Sequence, residues 1–238
     1  MESISLFKHC LFDIEGTIAP ISFVHDILFP YSKAKMQTYL EKENLTDSVW
    51  QSIQSEYAAD LKTGSFQDAL ERNDISSIYH YIEFLIKTDR KNSGLKEIQG
   101  HIWQKGYESG EIKSTIFPDT VQFWEKLQTS FTGISIYSSG SILAQKLILK
   151  YSDLGDLTKY VSRYFDTGSG GKREKESYIR IAKDLDTESK YMLFFTDILE
   201  EAEAASSAGM TAMVLDRPGN KPQNEHAFPV LHGFYKFL

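Results

Sequence analysis

Hydrophobic positions along the chain follow two different spacings. Short apolar runs predict β-strands over residues 6–12, 133–137, 163–166, 191–195 and 211–215. Apolar residues three and four positions apart predict helices over residues 121–127, 142–151, 174–185 and 199–208. Short apolar strands that alternate with helices are typical of a parallel sheet covered by helices on both faces. At the start of the first of these helices, Asp119 and Gln122 have the spacing of a capping box.

Residues 25–113 show only the helical spacing, which predicts four or five helices and no convincing strand. This block follows the first strand, so the helices interrupt the sheet domain. We therefore predict an α/β fold, with a three-layer, Rossmann-like parallel sheet formed by residues 1–20 and 114–238 and an all-helical inserted domain over residues 21–113. Ligands bind at the carboxyl ends of the strands in such sheets.

The first strand ends on the string Asp13-Ile-Glu15-Gly-Thr. In a loop leaving a strand, side chains two positions apart can point to the same side, where one acid can act as a nucleophile and the other can carry a proton. An isolated Asp-x-Glu would more often only cap a turn. The fuller string directly after an apolar strand favours the catalytic interpretation.

Polar residues also follow later strands. Ser138 and Ser139 precede Gly140 and a helix, where hydroxyl and N–H groups could hold a phosphate oxygen, although Ser-Ser-Gly alone is only a loop. Lys172 follows a glycine-rich loop that fits neither the Walker nor the dinucleotide pattern, and a lone lysine is usually a solvated surface charge. Asp197, with Glu201 four residues later, is equally compatible with a helix cap and with a metal ligand.

Composition narrows the classes of partner. The chain has 238 residues, 26 Lys and Arg against 33 Asp and Glu, and a formal net charge of −7, which argues against a nucleic-acid-binding protein. No run approaches the roughly 18 apolar residues of a membrane span, and we expect a soluble, unprocessed protein. The single cysteine, Cys10, fits a reducing compartment and a buried apolar position. The cytoplasm is the default location, and a nuclear pool stays open.

Asp13-Ile-Glu-Gly-Thr17, the Ser138-Ser139 strand end, Lys172, and Asp197 with Glu201 resemble the four ordered motifs of the haloacid dehalogenase-like phosphohydrolases. More narrowly, several longer strings resemble the acireductone synthase family, the enolase-phosphatases of methionine salvage. These are the residues from Asp13 to Val24, Leu28-Phe-Pro-Tyr31, Asp89-Arg-Lys91, Gly100-His-Ile-Trp103, Gly106-Tyr-Glu-Ser-Gly110, Phe117-Pro-Asp119, Tyr137-Ser-Ser-Gly-Ser141 and Arg217-Pro-Gly-Asn220. The similarity extends from about residue 10 to residue 230.

The resemblance implies a reaction and a role for each motif. Asp13 would attack phosphorus to form an aspartyl-phosphate, and Glu15 would protonate the leaving oxygen and then activate water. Ser138, Ser139 and Lys172 would hold the phosphate oxygens. One Mg²⁺ per subunit would be bound by Asp13, by Glu15 through its backbone carbonyl or that of a neighbour, and by Asp197, while Glu201 would orient Asp197 or a metal-bound water.

By the same resemblance, the substrate is 2,3-diketo-5-methylthiopentyl 1-phosphate, which is enolised and then dephosphorylated to the acireductone, and the inserted helices form a cap over the cleft. The family also suggests a monomer. The base that enolises the substrate is not identified, although Glu15 is a candidate. The histidines His25, His80 and His101 lack a metal-ligand spacing, so we expect structural or surface positions for them.

Three alternatives stay open at the level of sequence. The first is a phosphatase of the same superfamily with another small phosphorylated substrate. The second is a dehalogenase that would use Asp13 without a metal. The third, a non-enzymatic scaffold with the same fold, is disfavoured by the intact Asp13, Glu15, Lys172 and Asp197.

Overall fold

The computed structural model describes residues 4–130 and 132–238, apart from the side chain of Ser5. The α-helices of this part are α1 (Phe29–Lys42), α2 (Asp47–Thr63), α3 (Ile75–Lys87), α4 (Ser93–Glu108), α5 (Pro118–Thr129), α6 (Ile142–Lys150), α7 (Lys175–Asp184) and α8 (Leu199–Ser207). The strands are β1 (His9–Phe12), β2 (Gly133–Tyr137), β3 (Arg163–Phe165), β4 (Met192–Thr196), β5 (Thr211–Leu215) and β6 (Val230–Leu231).

The chain divides into two compact units. One consists of Met1–Asp26 and Lys113–Leu238, and the other of Ile27–Ile112. Residues 21–26, which the sequence analysis assigns to the insertion, thus fall in the first unit. Ile21 and His25 of this segment line the same cavity as Asp13.

All strand pairs in the first unit are parallel, in the order β3-β2-β1-β4-β5-β6. The α/β prediction is therefore confirmed. β1 is central, and its residue His9 lies opposite Gly133 of β2 and Met192 of β4. The sequence pattern missed β6, because a strand of only two residues carries no periodicity.

β1 is shorter than the predicted strand over residues 6–12. Residues Ile4–Leu6 form a 3₁₀ turn instead, closed by a hydrogen bond from the Phe7 amide to the Ile4 carbonyl. β1 itself is almost fully buried, as expected for a central strand with helices on both faces. Cys10 is completely buried, which confirms its predicted apolar position, and burial raises the pKa of its thiol.

Each face of the sheet carries its own apolar layer. On one face, β-strand residues pack with α7 and α8 through Tyr178, Ile181 and Ala205. Elsewhere in the core, Phe12 stacks on Phe195 with ring centroids 4.9 Å apart, in a cluster that includes residues of α5 and the carboxyl-terminal segment. These two layers fix the central strands, and with them the loops at their carboxyl ends.

The predicted capping box at the start of α5 is wrong. The N-cap is Phe117, without a side-chain cap, and Pro118 begins the helix. Asp119 is buried and pairs instead with Arg217, whose Nη1 lies 2.8 and 3.0 Å from the two carboxylate oxygens. A buried carboxylate gains more from a buried guanidinium than from a backbone amide, so tertiary pairing overrides the local pattern.

The second unit, which the structure describes throughout, contains α1 to α4 and no strand, as the spacing predicts. Its core includes Ile53, Tyr81 and Leu85. The buried Asp60 accepts hydrogen bonds from the Tyr81 hydroxyl at 2.7 Å and from Arg90 at 2.6 Å. Among the helices of the described residues, none combines the length and the hydropathy that crossing a membrane requires.

Candidate active site

The loop after β1 turns tightly around one carbonyl group. The backbone carbonyl of Ile14 accepts hydrogen bonds from the amides of Thr17, Ile18 and Ala19, at 3.2, 3.0 and 2.9 Å. Gly16 has φ = +68°, and a Cβ atom there would overlap the carboxylate of Asp197. Because only glycine tolerates both the conformation and the contact, the string around Gly16 brings the loop against the end of β4.

Lys172 is held at the centre of the site. Its Nζ lies 2.7 Å from Asp13 Oδ1 and 2.7 Å from Glu201 Oε2, and its side chain is only 8% exposed. The backbone carbonyl of Lys172 accepts a 2.6 Å hydrogen bond from the Tyr178 hydroxyl of α7. The loop lysine is therefore an internal cation, and the interpretation as a solvated surface charge is wrong.

Asp197 and Glu201 come from the end of β4 and the first turn of α8. Both are buried, at 8% exposure. Glu201 accepts a 2.8 Å hydrogen bond from the Thr196 hydroxyl, which in turn accepts one from the Ile198 amide. Asp197 does not cap α8, because the N-cap residue is Ile198 and makes no side-chain cap. Asp197 instead lines the cavity of the site.

The buried charged groups of the site shift one another's pKa values. Burial, reinforced by the negative charge of Asp13, raises the pKa of Asp197 to about 8. Burial also raises the pKa of Glu201 to about 7, against the opposing effect of Lys172. Burial alone would lower the pKa of Lys172, but the charges of Asp13 and Glu201 raise it. Three buried carboxylates thus share one buried ammonium group, and an additional cation would stabilise the ionised cluster.

The residues present fit a hard divalent cation such as Mg²⁺. Within residues 4–130 and 132–238, no three His, Cys, Asp or Glu side chains are grouped to hold a metal by themselves. Asp13 and Asp197 would supply two carboxylates, and backbone carbonyl, water or phosphate oxygens would complete the coordination. Mg²⁺ commonly binds through one or two carboxylates together with water and substrate phosphate.

A cavity of about 480 Å³ brings most of the predicted residues together. It is lined by Asp13, Glu15, Ser139, Lys172, Asp197 and Glu201, all from the first unit. Ser138 is the exception among the predicted residues: it is buried, and its Oγ accepts a 3.2 Å hydrogen bond from the Gly140 amide. Its phosphate-binding role stays a prediction.

Sequence reasoning missed several residues of the cavity. His25 lines it, with Nε2 4.0 Å from Glu15 Oε2, and the cations Arg173 and Lys221 lie in its wall together with Gln223. His25 belongs to a π-helical turn, Phe23–Leu28, where helical spacing gives no guide to direction. One sequence signal could have identified Lys221 and Gln223. Both closely follow the string Arg217-Pro-Gly-Asn220, which carries part of the family resemblance. His101 is structural, bonded to the Tyr39 hydroxyl at 3.0 Å.

Comparison with known proteins agrees with this geometry. The family described as haloacid dehalogenase-like hydrolase matches residues 7–209. A relative from Leptospira biflexa named enolase-phosphatase E1 is 47% identical over 244 residues, which cover 95% of this chain and 99% of the relative. A relative of the same name from Drosophila mojavensis is 43% identical over 238 residues, which cover 95% of this chain and 93% of the relative.

Solved structures share the fold. The UTR4 protein of Saccharomyces cerevisiae has a TM-score of 0.79 and 31% identity, covering 97% of this chain and 99% of that one. CbbY from Rhodobacter sphaeroides, solved in complex with phosphate, has a TM-score of 0.61 at 13% identity, which shows the fold alone.

A parallel sheet with acidic loops at the carboxyl ends of β1 and β4, and a lysine between them, defines a hydrolase of the haloacid dehalogenase-like class. The chain belongs to this family and, within it, to the enolase-phosphatases E1.

Proposed function

We propose that the chain is an enolase-phosphatase that converts 2,3-diketo-5-methylthiopentyl 1-phosphate into the acireductone and inorganic phosphate. One observation carries the proposal. In a chain that is 47% identical to an enolase-phosphatase E1 over 95% of its length, Asp13, Lys172 and Asp197 converge on one cavity. The similarity supports the substrate, and the convergence supports the chemistry.

Asp13 is the proposed nucleophile. Its carboxylate oxygen forms a bond to phosphorus while the bond from phosphorus to the substrate C1 oxygen breaks, and a protonated Glu15 gives its proton to that oxygen. Glu15 then takes a proton from water, the water oxygen attacks the aspartyl-phosphate, and phosphate leaves with Asp13 regenerated. Glu15 suits this exchange because its side chain is 36% exposed, which gives it access to water that the buried Asp13 lacks.

Lys172 and Ser139 are the proposed phosphate ligands. The Lys172 ammonium lies 2.7 Å from Asp13, so it can reach oxygens of a phosphoryl group attached there. Mg²⁺, held by Asp13, Asp197 and a backbone carbonyl of the loop at Glu15, would neutralise charge on the phosphoryl group and on the enolate. Glu201 keeps Lys172 oriented through its 2.7 Å ion pair.

The proposal includes a monomer, which the resemblance to the family suggests. It also includes a cytoplasmic location, with a nuclear pool left open. Sedimentation of the purified protein tests the first point, and imaging of a tagged chain tests the second.

The direct test supplies the diketone phosphate and Mg²⁺ and follows the enediol absorbance and free phosphate separately. The wild-type protein is expected to produce both, and excess EDTA is expected to abolish phosphate release. Asp13→Asn should still form the phosphorylated enol, followed by its own ultraviolet absorbance, but should form no enediol and release no phosphate, whereas the exposed Asp186→Asn should behave as wild type. Phosphate release by Asp13→Asn at the wild-type rate, or full activity in EDTA, would contradict the proposal. Release of halide from a haloacid in the presence of EDTA, without phosphate release from the diketone phosphate, would instead favour a metal-independent dehalogenase.

A further inference from the structure

The segment between β5 and β6 contains the string Arg217-Pro-Gly-Asn220, which has no part in the reaction described above. We refer to residues 217–223 as the clamp segment. Three of its side chains, spaced three residues apart, donate hydrogen bonds to backbone carbonyls of the two loops that carry the acidic residues of the site.

The first two contacts reach the loop after β1. Arg217 Nε donates to the carbonyl of Thr17 at 3.1 Å, and Asn220 Nδ2 donates to the carbonyl of Gly16 at 2.9 Å. Asn220 Nδ2 also donates to the carbonyl of Leu215 at the end of β5, at 3.1 Å. A single amide group therefore ties the loop that follows Glu15 to the rigid end of a sheet strand.

The third contact reaches the loop after β4. Gln223 Nε2 donates to the carbonyl of Asp197 itself. Because the peptide of Asp197 leads into the first turn of α8, a rotation of this peptide would move the Asp197 carboxylate. Gln223 also lines the cavity, so the contact lies beside the reacting groups.

The two loops and the clamp segment are packed tightly at Gly16. A Cβ atom on Gly16 would overlap the Asp197 carboxylate and would lie 2.9 Å from Asn220 Oδ1. The three groups therefore leave no room for a side chain at position 16. Arg217 anchors the clamp segment in the core. It is 4% exposed, pairs with Asp119, and lies over the rings of Phe117 and Phe234.

We propose that Asn220 and Gln223 are positioning residues, which hold the backbone of the two acidic loops so that Asp13 and Asp197 face the same phosphoryl group. This inference rests on the proposed function. Each side chain donates a hydrogen bond to a backbone carbonyl group of the loop that it holds, so each acts through that carbonyl group. Displacement of reacting groups by about 1 Å can lower a rate by about 100-fold, so two hydrogen bonds at this place can matter for catalysis more than for folding.

The test compares Asn220→Ala and Gln223→Ala with wild type, and uses Glu225→Ala, an exposed change two residues beyond the clamp segment, as the control. Phosphate release from the diketone phosphate is measured under saturating Mg²⁺. We expect kcat to fall by about 10- to 100-fold in each clamp variant, with KM within about threefold of wild type and Glu225→Ala unchanged.

A second readout is independent of turnover. Loss of an outer contact to a metal-binding residue typically weakens metal affinity by about 10- to 100-fold. Gln223→Ala is therefore expected to weaken Mg²⁺ binding about tenfold in calorimetric titration. Thermal melting of each variant reports the folded fraction, by which the rates are normalised.

The inference is overturned if both clamp variants keep wild-type kcat per folded molecule, or if their losses lie entirely in KM or in the folded fraction. It is also overturned if Glu225→Ala loses as much kcat as they do. A wild-type protein that releases no phosphate from the diketone phosphate contradicts the proposed function instead, so the two failures are distinguishable.

Discussion

The buried ion pair between Asp119 and Arg217 gives the most direct test of how the first unit is held together. The two residues lie 98 positions apart in sequence and are 1% and 4% exposed. Asp119 Oδ2 also accepts a 2.6 Å hydrogen bond from the Phe234 amide. The substitution Asp119→Asn keeps the shape but removes the charge, and leaves the Arg217 guanidinium buried without a counter-ion.

Removal of one partner of a buried ion pair typically costs about 3–5 kcal/mol, and total stabilities of domains are about 5–15 kcal/mol. Since an asparagine can still accept one hydrogen bond, we expect a loss of about 3 kcal/mol in the free energy of unfolding. Urea denaturation followed by far-ultraviolet circular dichroism measures it. The control is Glu188→Gln, which removes an exposed ion pair with Lys190 and should cost less than about 1 kcal/mol.

The double variant Asp119→Asn with Arg217→Met separates charge from packing. If the uncompensated guanidinium causes the loss, removal of both charges should restore at least half of it, since buried pairs can often be replaced by apolar groups without cost. The reasoning is refuted if Asp119→Asn costs less than about 1 kcal/mol, or if the double variant loses the sum of the two single changes.

Three further predictions concern separate parts of the first unit. Lys172→Met should lower kcat/KM for phosphate release by about 10²–10³-fold, because it removes a charged group that contacts the nucleophile. Gly16→Ala should abolish turnover because its Cβ would overlap the Asp197 carboxylate, whereas Gly110→Ala, also at positive φ but with open space around it, should retain activity. Burial lowers the pKa of His9 to about 4. The folded protein therefore binds fewer protons at His9 than the unfolded chain does between about pH 6.5 and pH 4. The stability that neutral His9 contributes is lost as the pH falls from about 6.5 towards 4. Between pH 7 and pH 5, wild type should lose about 2 kcal/mol more stability than His9→Gln in urea denaturation.

Each of these has a specific contrary result. If Lys172→Met keeps the wild-type kcat/KM, Lys172 does not bind the phosphate. Equal losses of activity in Gly16→Ala and Gly110→Ala would show that backbone strain, and not the contact with Asp197, causes the loss at position 16. Parallel stability curves for wild type and His9→Gln would mean that His9 titrates normally in the folded protein.

The charge arrangement explains how an acidic protein can accept an anionic substrate. The formal net charge is −7, yet the cavity wall includes Lys172, Arg173 and Lys221. Lys172 is committed to Asp13 and Glu201, while Arg173 and Lys221 are exposed at the wall. The same wall contains five acids, Asp13, Glu15, Asp197, Glu200 and Glu201, which outnumber these three cations, so an anionic substrate needs the proposed Mg²⁺ as well as the basic side chains.

Much of the fold could be predicted from sequence because local patterns and topology agree. The apolar runs of β1, β2, β4 and β5 are buried strands, and their alternation with helices is typical of a parallel sheet. Since the carboxyl ends of parallel strands lie at one edge, the residues that follow them had to meet there. Asp13, Lys172 and Asp197 thus share one cavity although up to 184 positions separate them.

Other features had no local signal. The partner of Asp119 is Arg217, a long-range choice that overrode the spacing of a capping box. The His25 side chain is oriented by a π-helical turn. The Ser138 hydroxyl is oriented by its hydrogen bond with the Gly140 amide. Such orientations depend on which groups become buried together.

The sequence by itself determined the order of strands and helices, the interruption by a helical block, and the residues that the strand ends deliver to one edge. Only the tertiary structure decided which cation neutralises which acid, and which side chains hold the two acidic loops in place. The physical reason is that periodicity reports whether a position is buried, whereas pairing of buried charges and carbonyl groups depends on distances of about 3 Å between segments far apart in the chain.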